Sequence, residues 1–426
     1  MRPAGRWLTA CQRPRSRHHA ADPMSSEATG RRSTVALLQE FSLPLLMGVL
    51  LGLLLANVDP HGYHVLLHWS PLGEHSHLNF HFIVNDLFMA LFFGVAAKEI
   101  TEACLPGGAL NPPRKAVNPL AGTLGGVLGP VGVYFVIVAV TGDSEITRGW
   151  GVPTATDIAL AWLVARMVFG AGHPAVAFLL LLAVADDAIG LGIIAVFYGD
   201  PLNPARPIYM LLVVAAMGVA WALKRKGVKS FWPYVLIAGP LSWSGFFLSH
   251  LHPALALVPV VPFMPNMGFD EGLFREASTG KIYPDTLNSF EHFFKKPVDF
   301  GLLAFGVANA GVEFSSMGTA TWAVFISLMV GKTFGISLCS IVAARLGFPL
   351  PTGMDLKTLF VAGMTAALGL TVALFVAGVA FVDPTLQGSA KMGALLSAMA
   401  APVALLMGRL LRVKKIHASA QGGGHH

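Results

Sequence analysis

The sequence predicts an all-α polytopic membrane protein with about twelve transmembrane helices, and three observations carry that reading. The first is composition: 54% of the 426 residues are apolar and only 12% are charged, whereas soluble domains carry about 25% charged residues. The mean hydropathy is +0.64. The second is segmentation: apolar runs of about 20 residues, long enough for a helix to cross the hydrocarbon core, recur along the chain. The third is charge placement. Lys and Arg gather in short connections and tails beside the apolar runs, the pattern that sets orientation in a bilayer. The pI of 9.3 therefore reports topology rather than a nucleic-acid partner.

Residues 1–33 are rich in Arg and Ser, with Asp22 and Glu27 as the only acids. A disordered basic cytoplasmic tail is expected there, with Met24 as an alternative start. A transmembrane domain is expected over 34–414 and a second disordered tail over 415–426. The spans fall at 36–58, 82–103, 117–140, 147–168, 174–199, 207–223, 231–249, 252–265, 298–314, 320–345, 357–382 and 389–411. The eighth is short and carries Pro253, Pro259, Pro262 and Pro265; backbone groups freed by such breakers need neighbouring protein or water. Residues 59–81, an extracytoplasmic loop, hold His61, His64, His68, His75, His77 and His81. His64 and His68 have a metal-compatible spacing, but no further ligand is fixed and a solvated loop is the plainer reading. Residues 266–297 read as a polar cytoplasmic linker, and Cys11, Cys104 and Cys339 show no disulfide or metal spacing.

Orientation follows from the basic residues. With both termini inside, the outer connections carry only Arg148, Arg206 and Lys391, Lys332 lies within a span, and the other Lys and Arg are assigned to cytoplasmic segments. Eleven spans would put KRKGVKS and RLLRVKK on opposite sides, so the asymmetry favours twelve.

The chemistry concentrates in four charged residues. Asp186 and Asp187 are the thirteenth and fourteenth residues of a 26-residue span, Lys332 is the thirteenth of 26, and Asp157 the eleventh of 22. At ~1.5 Å per residue each lies near its helix midpoint. A carboxylate at that depth costs at least ~2.5–3.5 kcal/mol even on lenient insertion scales, so it needs water, a counter-charge or a bound cation. A purely structural salt bridge would use one Asp with Lys332 and leave two acids uncompensated. Carboxylates with a Thr or a backbone carbonyl supply the oxygens that a hard cation prefers. The same acids bind protons, and two neighbours in low dielectric resist both being charged. Cation and proton would therefore compete for one site.

Two spans also look interrupted. Pro153-Thr154-Ala155-Thr156-Asp157 breaks the fourth, and Gly363, Thr365, Gly369 and Thr371 punctuate the eleventh. Interrupted helices at corresponding positions of two halves point to a transporter site. The triplets 117–199 and 320–411 match in pattern, which suggests an inverted repeat. In such an arrangement Asp157 would neutralise two facing helix N-termini and Lys332 two facing C-termini.

With these residues in view, the sequence resembles the NhaA-type sodium/proton antiporter family from about Phe41 to Lys414. The likeness rests on NDLFMALFF (85–93), PTATDIALA (153–161), ADDAIGLGIIAVFY (185–198), FGVANAGV (305–312), VGKTFGISL (330–338) and ALGLTVALF (367–375), in that order. It implies NhaA-like inverted repeats with two interrupted crossing helices, and core helices at about 82–199 and 298–411. It implies no enzyme but a secondary active exchange of Na⁺ or Li⁺ for H⁺ by alternating access, electrogenic and pH-regulated, serving pH homeostasis. No cofactor is implied. The partners implied are monovalent cations, protons and membrane lipid, without nucleic acid, and a homodimer by analogy through 59–81. The place implied is a bacterial inner membrane, with both termini cytoplasmic.

By the same resemblance Asp187 is the principal cation and proton carboxylate, Asp186 the partner of Lys332, Thr156 a cation ligand and Asp157 the dipole-compensating acid. Asp86 is similar to an acid shaping the cytoplasmic part of the path. Glu99, His252, Glu291 and His292 fall where the family has residues linked to pH response at the cytoplasmic funnel or helix ends. Two departures stand out. The glycine after the acid pair is displaced to Gly190, and AAKEITE (96–102) replaces the family's G-x-E-x-K-R-E. One rival reading is a cation-coupled organic solute carrier on the same fold, which a large cavity or solute-dependent Na⁺ flux would favour. An intramembrane aspartyl hydrolase is the other, but it needs acids facing each other from different helices, whereas Asp186 and Asp187 are about 100° apart on one helix.

Overall fold

The protein is described here from a computed structural model covering residues 43–71, 73, 78–106, 108, 110, 113–199, 203–266 and 285–416. The expected tail 1–33, most of the 266–297 linker, His75, His77 and nearly all of the C-terminal tail lie outside the described residues. Among the described residues all regular structure is helical. In chain order the helices are α1 (Leu43–Val58), α2 (Pro60–His68), α3 (Phe80–Cys104) and α4 (Pro113–Thr141). The 3₁₀ segment α5 (Ser144–Thr154) and α6 (Ile158–Phe169) follow, then α7 (Pro174–Phe197), α8 (Pro207–Arg225) and α9 (Tyr234–Leu248). The second half holds α10 (Thr286–Ala310), α11 (Thr319–Arg345), α12 (Leu356–Ala366), α13 (Thr371–Ala380) and α14 (Pro384–Leu410).

Six of these are long and apolar enough to cross a membrane, and two bent pairs, α5–α6 at 58° and α12–α13 at 50°, would raise that to eight. Helices α1 and α9 are shorter apolar helices, and α10 continues from a polar first half into an apolar second half. Large apolar side chains such as Leu50, Leu54, Leu211, Val214, Leu236 and Leu338 face outward, as a surface meeting lipid requires. The buried core lies instead around the two bent pairs, where Val152, Leu328, Leu368, Leu370 and Ala373 are almost fully enclosed.

The eighth expected span is not a helix of that kind. Residues 252–265 run through two short 3₁₀ pieces, Pro253–Leu255 and Val261–Phe263, with turns between them. Pro253, Pro259 and Pro262 lack the amide hydrogens that a continuous α-helix would use, so hydropathy alone overstated this stretch. The 59–81 loop also carries more structure than expected: it forms α2, whose first turn is capped by Asp59 accepting from the Gly62 amide at 2.9 Å, and the start of α3.

Helix α11 is mounted closely on α4. A Cβ placed on Gly129 would stand 2.2 Å from the Gly331 carbonyl oxygen, and one on Gly125 2.0 Å from that of Gly335. Only glycine permits that approach of two backbones. Lys332, next to Gly331, is thereby carried into the core on a fixed pair of helices. Its helix widens into a π turn over Ser327–Lys332, and α3 does the same over Ile83–Phe88; such turns insert one extra residue and re-aim the side chains that follow.

Candidate ion site

The two bent pairs cross at their breaks. After Thr154 the chain runs extended through Ala155 and Thr156 to Asp157 before α6 begins. Helix α12 stops at Ala366, and Thr371 opens α13. The Asp157 amide donates to the Leu368 carbonyl at 2.6 Å, which pins one break on the other.

Asp157 serves two helix starts at once. Its Oδ1 accepts from the Leu160 amide at 3.1 Å, capping α6. Its Oδ2 accepts from the Thr371 amide at 3.3 Å and from the Thr371 hydroxyl, capping α13. Two N-terminal dipole ends converge there, and a carboxylate is the group they favour. The helix C-termini meet a different set. Lys332 Nζ donates to the Thr154 carbonyl at 2.5 Å, at the end of α5, and to Asp186 Oδ2 at 2.8 Å. Thr156 Oγ1 lies 2.7 Å from the same Asp186 oxygen and 3.2 Å from the Ala366 carbonyl, where α12 ends. Lys332 thus meets the carbonyl end of α5, and the hydroxyl of Thr156 meets that of α12.

Asp186, Thr156 and Lys332 are all at most 1% exposed, whereas Asp187 is only partly buried. One oxygen on each acid, Asp186 Oδ1 and Asp187 Oδ1, is enclosed and has no hydrogen-bond partner among the described residues. Buried carboxylate oxygens are ordinarily satisfied. The other Asp186 oxygen meets the Thr156 hydroxyl, and carboxylate and hydroxyl oxygens are a donor set suited to a hard cation.

The other sequence candidates fall into two further places. Asp86 lies on the π turn of α3, its Oδ1 3.9 Å from His252 Nδ1, and the His252 ring packs edge-on against Phe375 of α13 at 4.8 Å. Glu99 is thirteen residues further along α3, about 20 Å at ~1.5 Å per residue. Asp86 therefore does not share the end of α3 that Glu99 occupies. Glu291 enters a cluster centred on Lys98, which is fully buried: Lys98 Nζ meets Glu102 Oε2 at 2.5 Å and also bonds Glu291 Oε2. Lys295 stands 3.7 Å from the other Glu291 oxygen. Glu99 acts electrostatically on both this cluster and Asp187. His292 is exposed and forms no part of it.

Sequence reasoning gave no role to Lys98 or Glu102 and read Thr371 only as part of a helix break, and it placed Lys391 in an outer connection although that residue is 7% exposed within α14. The signal for Lys98 was its own position, inside the second expected span.

Crossed, broken helices whose ends enclose acids, a threonine and a lysine define a secondary transporter of the interrupted-helix type. The profile of the Na⁺/H⁺ antiporter 1 family matches residues 35–408, and the chain belongs to that family. It is 58% identical over 385 residues to the Na⁺/H⁺ antiporter NhaA of Geobacter metallireducens, covering 90% of this chain and 100% of the relative. Identity to the Na⁺/H⁺ antiporter NhaA of Jannaschia sp. is 45% over 413 residues, with 88% and 97% covered. The fold is similar to that of the sodium proton antiporter MjNhaP1 from Methanocaldococcus jannaschii at pH 8, with a TM-score of 0.51 and 14% identity over 88% of this chain and 92% of that one.

Proposed function

We propose that the protein exchanges Na⁺ or Li⁺ for protons at the crossing of its broken helices, with Asp187 as the principal carboxylate. The observation that carries this reading is the pair of enclosed, unpartnered oxygens on the adjacent acids Asp186 and Asp187, with Thr156 bonded to the other Asp186 oxygen. A cation arriving there displaces protons, because two neighbouring carboxylates in low dielectric are not both charged without a counter-ion. The cation then takes oxygens from Asp187, Asp186 and Thr156, while Lys332 gives up its contact with Asp186. Asp157 stays in place as the shared cap and keeps the two breaks in register during the exchange.

Alternating access follows if the crossed helices move as a unit against the remaining helices, opening the site to one face and then the other. If Asp187 and the Asp186–Lys332 pair each carry one proton per turn, the exchange moves net charge. The membrane potential then favours cation expulsion, by ~2.3 kcal/mol per charge per 100 mV. The basic segments favour cytoplasmic termini in a bacterial inner membrane, and the Lys98–Glu291 cluster together with Glu99 would lie at the cytoplasmic approach, where pH acts on the rate. A homodimer remains part of the proposal by family analogy.

Proton flux in proteoliposomes tests the reading directly. Addition of Na⁺ or Li⁺ is expected to drive proton movement at clamped zero voltage, with the rate responding to an imposed potential and falling as acid pH lets protons compete. A cation-independent flux, or one that needs an organic solute, would sink it.

A further inference from the structure

Among the described residues three lysines are enclosed within helices: Lys98 and Lys332 at 0% exposure and Lys391 at 7%. Two of them meet carboxylates, Lys98 with Glu102 and Glu291, and Lys332 with Asp186. The third does not. Among the described residues Lys391 makes no hydrogen bond and no salt bridge, and the His81 imidazole lies close enough to interact with it electrostatically. A buried ammonium without an acid is costly, and an apolar residue would occupy the same place at less expense to the fold.

The side chains placed around Lys391 are amides and a histidine. A Cβ placed on Gly378 of α13 would stand 3.9 Å from both Lys391 Cε and Asn309 Oδ1, so α13 faces the side chains of α10 and α14 at this point. Asn309 donates to Asn85 Oδ1 at 2.8 Å, and the Asn85 amide nitrogen lies 2.9 Å from His81 Nε2. Gln387, one turn before Lys391 on α14, donates to the Gly378 carbonyl at 2.8 Å. These groups join α3, α10, α13 and α14 at the end of the helices away from the Lys98 cluster: Lys391 lies near the start of α14, Asn309 near the end of α10, and His81 near the start of α3. Helix α13 connects this place to the ion site, since Gly378 stands two turns beyond Thr371, which shares Asp157.

Resting on the proposed exchange and its topology, we propose that Lys391 is an electrostatic gate of the extracytoplasmic half-path, whose positive charge weakens cation binding from that face. Like charges in a poorly solvated passage repel strongly, and a single fixed cation in a narrow passage is a known way to oppose cation entry. A transporter that expels cations gains from such a charge at the exit, because it hastens release and discourages re-entry. Lys391 touches no ion in this arrangement and acts as a specificity-determining charge, with the Asn85–Asn309 pair holding the polar wall around it.

Sided transport and a transport-independent measurement test it together. In oriented vesicles Lys391→Gln is expected to lower the KM for Na⁺ on the extracytoplasmic face by about tenfold, leave the cytoplasmic KM within about twofold, and be reversed by Lys391→Arg. Equal shifts on both faces, no shift, or an Arg variant that behaves like Gln would overturn the gate. In the second measurement Gln387→Cys, in a chain whose Cys11, Cys104 and Cys339 are replaced by Ser, is labelled from the extracytoplasmic face with anionic and cationic methanethiosulfonates. Lys391 is expected to favour the anionic reagent, and Lys391→Gln to abolish that preference; absence of any preference with Lys391 in place overturns the gate. Failure of the wild type to exchange Na⁺ for protons would instead overturn the proposed function, and the labelling bias would still decide the gate.

Discussion

Lys332 and Lys98 are both fully buried ammonium groups, yet their surroundings differ. Lys98 stands between two carboxylates, Glu102 and Glu291, and the outer oxygen of Glu291 is met in turn by Lys295. Every charge there has an opposite neighbour, and the cluster ties α3 to α10. Lys332 has one carboxylate and one helix-end carbonyl, and beside it two acid oxygens have no partner. Satisfied charge holds elements together, whereas incompletely satisfied charge leaves room for something that arrives and departs. The difference separates an ion pair that organises the fold from a site that can exchange its contents.

The comparison breaks most sharply at Asp187. Replacing Asp187 with Asn removes the carboxylate without changing side-chain volume, and Na⁺-driven proton flux is expected to fall to background while the protein remains folded. Robust flux in that variant would mean that the unpartnered oxygens are not where the exchange occurs.

The two lysines come next. Replacing either by Met strands at least one buried carboxylate, and breaking a buried pair costs about 3–5 kcal/mol, so both variants should melt at lower temperature. They should part in transport. Lys332→Met is expected to lose Na⁺-driven flux along with stability, because in the proposed cycle the Asp186–Lys332 pair carries a proton. Lys98→Met is expected to keep flux at saturating Na⁺. Thermal unfolding and proteoliposome flux on the same preparations make the distinction, and a stable Lys332→Met protein would remove the ion pair from the account.

How much of this was legible in the sequence follows from the same contrast. Asp186, Asp187 and Lys332 announce themselves because a charge inside an apolar run has no bland interpretation, and the shared role of Asp157 could be expected from the Pro-Thr break beside it. Lys98 sits in AAKEITE, where its charged neighbours resemble an ordinary solvated helix end. Its partner Glu291 is 193 positions away, a pairing that only the packing of α3 against α10 creates. The Asn85–Asn309 bond spans 224 positions and is hidden for the same reason. The π turns that aim Asp86 and Lys332 leave no mark in a hydropathy pattern, since one extra residue in a turn changes neither length nor composition. Residues 252–265 misled in the opposite way, because they have the apolar content of a span without the amide hydrogens to wind one.

The smallest expected effect lies well away from either lysine and sharpens the contrast between holding and exchanging. Asp355 caps α12, its Oδ1 accepting from the Thr358 amide at 2.8 Å and from the Thr358 hydroxyl at 2.6 Å. These hydrogen bonds from Thr358 hold its carboxyl below the usual carboxylate range. A depressed folded-state pKa stabilises the fold above the unfolded value of about 3.9, and that contribution is lost as pH falls through the lower folded value. Asp355→Ala removes a helix cap worth about 0.5–2 kcal/mol, so a small loss of thermal stability is expected at neutral pH, shrinking towards nothing as both forms become protonated. The cation KM should not move, because α12 meets the ion site at its other end, through Ala366. A shift in KM of the size expected for an ion ligand would mean that the start of α12 and its broken end are mechanically coupled, and that capping at the helix ends takes part in the exchange.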